Sequence, residues 1–236
     1  VCETGTRAKT DTPDIGKLII YAHELTAVPY ATQKMIDDAG FDIESWLAAK
    51  VADKFSRLEN SAFVSGDGVN KPKGFLTYAA ASDPDVYERN AIGQLESAAS
   101  GVIDGDDIKG LQNLLKEPYQ PNAVWGMSRQ TFGEVVKLKD GYDRYLLDPN
   151  SFKVGDTKIL LGSNVVFMHD MPAIAGDSLS IVYADFSKAY TILDRIGIRV
   201  VRDIYTQRPY IIYPTTKRVG GSVTNFDAIK ILKTKA

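Results

Sequence analysis

One cysteine, two histidines and no long apolar run set the first limits on this chain. Cys2 alone can form no internal disulfide and no multi-cysteine metal site, so packing must supply the stability. No stretch approaches the roughly 18 apolar residues of a membrane-spanning helix, and Val1 opens no basic-then-apolar leader, so no membrane partner is expected. Val1 is also not an initiator Met, which suggests a processed product or the ordered part of something longer. His23 and His169 stand 146 positions apart with no Glu or Cys at ligand spacing, which speaks against a metal site. No serine sits in a nucleophile-elbow pattern and Cys2 has no neighbouring histidine, so nucleophilic catalysis has no visible basis.

Other possible sites read more simply as structure. Gly66-Asp67-Gly68 resembles a piece of a phosphate loop, but it follows a helical pattern rather than a strand and lacks the Gly-Lys-Ser/Thr ending; a helix stop and turn is the better account. Asp37 and Asp38 are adjacent, so their side chains diverge and read as solvated acids. Asp140, Asp143 and Asp148 miss the calcium-loop spacing. Trp46, Trp125 and the twelve tyrosines are scattered and form no stacking platform. No catalytic residue, cofactor or metal is expected.

What is present is a core-forming composition, 44% hydrophobic over 236 residues, enough for one large domain or two small ones. The net charge of −2 is unevenly spread: from Arg195 onward nine basic residues face two acids, a balance of +7, leaving −9 on the first 194. The basic residues are scattered singly along strand-like segments, which suits pairing between unlike regions of neighbouring subunits better than nucleic-acid binding. A solvated surface with no partner is the simpler alternative.

Residues 2–16 are polar and read as an exposed arm or loop; 17–28 are β-branched and aromatic enough for a strand ending at Pro29, before a short helix over 31–38. The strongest element runs from Asp42 to about Val64. Ile43, Leu47, Val51, Phe55, Leu58 and Ala62 recur every three or four residues and mark one helix face. Asp42 can cap its start, Gly66 can stop it, and Asp53 and Arg57 are spaced for an i,i+4 pair. Further helices are expected over 106–116, with Ile108, Leu111 and Leu115 inward, and after a Ser128 cap, with Phe132, Val135 and Val136 inward. Strands are expected at 123–127, 158–168, 179–184, 189–193, 196–202, 210–215 and 229–232, with 148–155 a polar loop. Helices and strands mix without a regular βαβ order, so the class is α+β.

Read together, KLIIYAHELTAVPYATQKMIDD, the DIESWLAAKVADKFSRLENSAF helix, VSGDGVNKPKGFL and the closing GIRVVRDIYTQRPYIIYPTTKRVGGSVTNFDAIKILK resemble major capsid proteins of the Hong Kong 97 bacteriophage type, including those of prophages and gene transfer agents. The middle of the chain is matched more weakly. The resemblance implies a Hong Kong 97-like fold. Residues 1–16 would be the returning limb of an extended loop, 17–69 and 196–225 a peripheral domain, and 70–195 with 226–236 an axial domain. It implies a non-enzymatic subunit assembling in the host cytoplasm into pentamers and hexamers of a virion shell. Double-stranded DNA would be enclosed without sequence-specific binding, with a portal and a maturation protease as partners. Subunit contacts would fall at Arg7 and Lys9 in the limb, at Asp148, Asn150 and Lys153 near five- and six-fold axes, and at Arg202, Asp203, Tyr205, Gln207 and Arg208 near three-fold axes. The outgoing limb and N-terminal arm of such proteins have no counterpart in the sequence, which implies poor assembly. Some relatives fuse subunits through a Lys–Asn isopeptide bond assisted by a glutamate in the late strand; 209–216 holds no acid or asparagine, so no such cross-link is expected. An encapsulin-type shell around protein cargo and a small-molecule enzyme using Asp37, Asp38 or the GDG turn are the rival readings.

Overall fold

The computed structural model describes residues 17–139, 142–145 and 158–236. Its longest element is α2 (Ile43–Ser65), 23 residues or roughly 34 Å at the usual rise per residue. The Asp42 carboxylate accepts from the backbone amides of Glu44 and Ser45, satisfying donors that a helix start leaves free. Asp53 and Arg57 pair at 2.7 Å as their spacing predicts. Gly66 ends the helix, its amide donating to the Ala62 carbonyl. Only glycine fits there, because a Cβ would stand 2.2 Å from the Pro72 carbonyl oxygen. The GDG turn is thus a structural clamp: Asp67 bridges to Lys73 and accepts from the Val69 amide, a hydrogen bond that holds its carboxyl below the ordinary value.

The buried stripe of α2 keeps Ile43, Val51 and Phe55 of the expected one, while Leu47 and Ala62 are half-buried. Val64 is buried as well, but Leu58 is about half exposed and Glu59 takes the inward place. Glu59 is tolerated because Lys217 comes from across the fold, its ammonium donating to Oε2 at 2.8 Å and lying 2.7 Å from Oε1.

Beside α2 lies an antiparallel sheet of β1 (His23–Ala27), β11 (Thr215–Val223) and β9 (Tyr190–Val200), with β11 central. The expected strand over 17–28 shrinks to β1, since 17–22 join no ladder. Ala31 belongs to β2 (Tyr30–Thr32), which pairs with β10 (Tyr210–Ile212), so the short helix is only α1 (Gln33–Asp38), capped by Thr32. The two strands expected at 189–193 and 196–202 are one continuous β9, which absorbs two register shifts against β11.

The second sheet has seven strands in the order β3 (Ala79–Ala80), β4 (Ala91–Ser100), β12 (Ile229–Lys235), β8 (Leu179–Ala184), β5 (Val124–Met127), β7 (Ser163–Phe167) and β6 (Ile159–Leu160). It mixes parallel pairs, such as β12 with β4, and antiparallel ones, such as β12 with β8. The β6–β7 reversal uses Leu161 and Gly162, both at positive φ as a two-residue hairpin turn demands. Against this sheet pack α3 (Gly105–Leu114) and α4 (Arg129–Val136), with Ile108, Leu111, Phe132 and Val135 buried and Ser128 capping α4. Trp125 is fully buried, stacks on Tyr183 at 4.2 Å between ring centroids, and donates its indole N–H to the Leu160 carbonyl. A second apolar cluster joins the end of α2 to this sheet through Val64, Phe75, Tyr78, Phe226 and Ile229. The short α5 (Phe186–Ala189) leads from β8 into β9.

Candidate assembly surfaces

Beyond β9 the chain turns through 201–209 and returns in β10. Asp203 builds this turn. Its backbone exchanges two hydrogen bonds of 2.9 Å with Ile212, while its carboxylate accepts from the amides of Tyr205 and Thr206 and from the Thr206 hydroxyl. Those donors, the hydroxyl first, hold the Asp203 carboxyl below its ordinary value. Arg202 anchors the base of the loop: its guanidinium lies 3.3 Å from Glu44 on the first turn of α2, and the Tyr213 hydroxyl donates to the same carboxylate oxygen at 2.9 Å. Burial and that carboxylate push the Tyr213 hydroxyl pKa up. Tyr30 and Tyr210 meet edge to face where β2 and β10 pair. The loop is therefore held at its base, while Tyr205, Gln207 and Arg208 stand exposed at its tip.

Of the ten expected contact residues, Arg202, Asp203, Tyr205, Gln207 and Arg208 come together in this projection. Arg202 and Asp203 spend their polar groups within the chain, one fixing the loop to α2 and the other fixing its curvature. Arg7, Lys9, Asp148, Asn150 and Lys153 lie outside the described residues.

Of the acids considered as candidate sites, Asp37 accepts from Gln33 on α1 and Asp143 pairs with Lys139, both ordinary partners. Among the described residues no three His, Cys, Asp or Glu side chains cluster to hold a metal, and no helix is long and apolar enough to cross a membrane. What the described surface does offer is exposed apolar area. Tyr205, Val201, Ile198 and Leu193 stand out along the arm formed by β9 and its loop, and Ile19 and Tyr21 before β1. Contiguous exposed apolar area of this kind is where protein surfaces meet partners.

The family model of the phage capsid family matches residues 1–234. The chain belongs to that family. Among solved structures it is similar to the capsid of a native GTA (gene transfer agent) particle, at 39% identity and a TM-score of 0.92, covering 100% of this chain and 80% of that one. The capsid of an empty GTA particle is similar at 37% identity and a TM-score of 0.86, covering 98% and 81%. The protein of Microbacterium phage Oxtober96 shares the fold at 16% identity and a TM-score of 0.68, covering 100% and 81%. Among curated protein sequences none matches. The protein is a structural shell subunit of phage or gene-transfer-agent particles and not an enzyme. It works by repeating itself within a particle's capsid, and neither the encapsulin reading nor the enzyme reading gains support. The α+β class and the Hong Kong 97-like fold agree with these neighbours.

Proposed function

We propose that this subunit closes into the pentamers and hexamers of an icosahedral shell that encloses double-stranded DNA without reading its sequence. The observation that carries the reading is the match over nearly the whole chain to the phage capsid family, joined by full coverage against a GTA capsid at 39% identity. Closed symmetry lets many weak contacts act together, so each individual contact needs little affinity. In this scheme 17–69 with 196–225 form the peripheral domain, and 70–195 with 226–236 the axial domain. Tyr205, Gln207 and Arg208 meet neighbours near three-fold axes, on a loop held in place by Arg202 and Asp203. Asp148, Asn150 and Lys153 would serve near five- and six-fold axes, and Arg7 and Lys9 would lie across an adjacent subunit. Assembly takes place in the host cytoplasm with a portal and a maturation protease, and no isopeptide bond fuses the finished shell.

Expression of the gene product alone and with its genomic neighbours, followed by electron microscopy and nuclease treatment, tests this reading. Closed particles holding nuclease-protected DNA are expected. Monomers at every concentration, with and without protease and portal, would refute the shell; closed particles that never protect DNA would refute the DNA-packaging role.

A further inference from the structure

β9 is one of the two outer strands of the three-stranded sheet. Among the described residues β9 is paired only with β11, along Tyr190–Val200, and its other edge carries a row of backbone donors and acceptors roughly 35 Å long. Soluble proteins blunt such edges with short strands, prolines or inward charges, because a free edge is a template for another strand. Here the strand is eleven residues long and has no proline. Its apolar side chains are open to solvent: Ile192, Leu193, Ile198 and Val200 are each 42–55% exposed. Ile192 also borders an apolar cavity of about 490 Å³ between α2 and β7, lined by Phe63, Phe75, Phe167 and Met168.

Charge indicates what would cover this edge. Among the described residues the arginines without an intrachain carboxylate, carbonyl or ring partner are Arg195, Arg199, Arg208 and Arg218, all on β9, β11 and the loop between them. Arg199 sits opposite Thr216, and Arg218 opposite both Ile196 and Glu24; the Arg218 Nε is buried without a hydrogen-bond acceptor. Unpaired guanidinium groups among exposed aliphatic side chains call for carboxylates carried on an extended, partly apolar chain. Duplex DNA would meet the arginines but leave the isoleucines, leucine and valine without partners. The chain itself holds the complementary charge, since the first 194 residues carry −9 against +7 on the remainder. Unlike surfaces on identical subunits make the heterologous contact from which rings are built.

We infer that, in the shell, the free edge of β9 receives an added strand from a second copy of this chain, whose carboxylates meet Arg195 and Arg199. The inference rests on the shell reading and specifies one of its joints. Hydrogen exchange measured by mass spectrometry on the gene product, as free subunits and as empty and DNA-filled shells, tests it. The amides of 192–200 that point away from β11 are expected to exchange about tenfold or more slowly in both kinds of shell than in free subunits. The double variants Leu193→Lys with Ile198→Lys and Arg195→Glu with Arg199→Glu should keep the exchange pattern of the folded core and raise the assembly threshold about tenfold. Protection of those outward-facing amides already present in free subunits would overturn the inference by showing an occupant from the same chain, and protection of them confined to DNA-filled particles would overturn it in favour of nucleic acid. Shells with unprotected β9 amides, or variants that assemble at the unmodified threshold, would overturn it while leaving the shell reading intact. Failure of the unmodified protein to form shells at all would overturn both.

Discussion

One ion pair is buried in the joint between the long helix and its sheet, and removing half of it should be far worse than removing all of it. Glu59 and Lys217 keep only 11% and 16% of their side-chain surface, and their charges meet at 2.7 and 2.8 Å. Asp194 on β9 adds a weaker contact to the same ammonium at 3.7 Å. Lys217→Met would leave the Glu59 carboxylate in a nearly dry seam between α2 and β11. Breaking a buried pair from one side costs about 3–5 kcal/mol, and the residual exposure places this case near the lower end, about 3 kcal/mol. Glu59→Leu should cost somewhat less, because Lys217 keeps Asp194. The double variant Glu59→Leu with Lys217→Met removes both desolvation penalties and fills the seam with apolar atoms, so it should return to within about 1 kcal/mol of the unmodified subunit. Urea unfolding of the free subunit reads these values: at a slope of about 2–3 kcal/mol per molar, the Lys217→Met midpoint falls by roughly 1 M. Single variants that each cost under about 1 kcal/mol, or a double variant as unstable as the sum of the singles, would refute the reasoning.

On α2, Phe55→Ala should destabilise the subunit by about 3–5 kcal/mol while Leu58→Ala stays within about 0.5 kcal/mol, measured by the same unfolding curves; equal losses would restore Leu58 to the core. The Asp203 carboxyl is depressed below 3.8 by its own loop, so it contributes order that is complete above that value and lost as pH falls through the lower folded-state pKa. Slow exchange of the Tyr205 and Thr206 amides should therefore persist to pH 3.8 and fail below it, and Asp203→Ala should abolish it at every pH without altering the core. Lys230 on β12 is buried at 1% exposure with its ammonium hydrogen bonded to the Pro84 carbonyl, and burial pulls its pKa below 10.5. The unfolded chain holds that proton more tightly, so stability should rise with pH between the depressed value and 10.5. Lys230→Met should flatten that rise and hold or raise the neutral-pH midpoint; a drop of more than about 2 kcal/mol would show that the charge stabilises the fold.

Local signals carried a good part of this molecule. α2, its Asp42 cap, its Gly66 stop and the Asp53–Arg57 pair were legible because a helix is written in residues three and four apart, and its ends in single capping side chains. The segments from Lys17 to Leu76 and from Gly197 onward cannot be read this way as one surface, yet their resemblance to a capsid family pointed to the function that the whole-chain match shows. The projecting loop's five residues could be nominated as subunit contacts only through that resemblance, since nothing in their types distinguishes a subunit contact from a solvated turn.

What the sequence determined by itself is the local structure: where α2 starts and stops, that Ile43, Val51 and Phe55 face inward along it, and that the composition can bury a core. Tertiary structure alone decided β11 and β4. β11 breaks the alternation of a half-buried strand, with Lys217 and Arg218 at its centre and Gly220 and Gly221 after them. Those glycines are required from a distance, since a Cβ at Gly220 would stand 2.4 Å from the Tyr21 carbonyl oxygen and one at Gly221 2.5 Å from the Tyr190 hydroxyl. In β4, Gly93 likewise makes room for the buried Lys230 ammonium, 2.8 Å from where its Cβ would lie. Glu59 was hidden for the same reason: a carboxylate reads as solvent-facing until the partner 158 residues away is brought to it. Helix periodicity is a property of neighbours along the chain, whereas a buried charge or an obligatory glycine is a property of whatever the fold places against it.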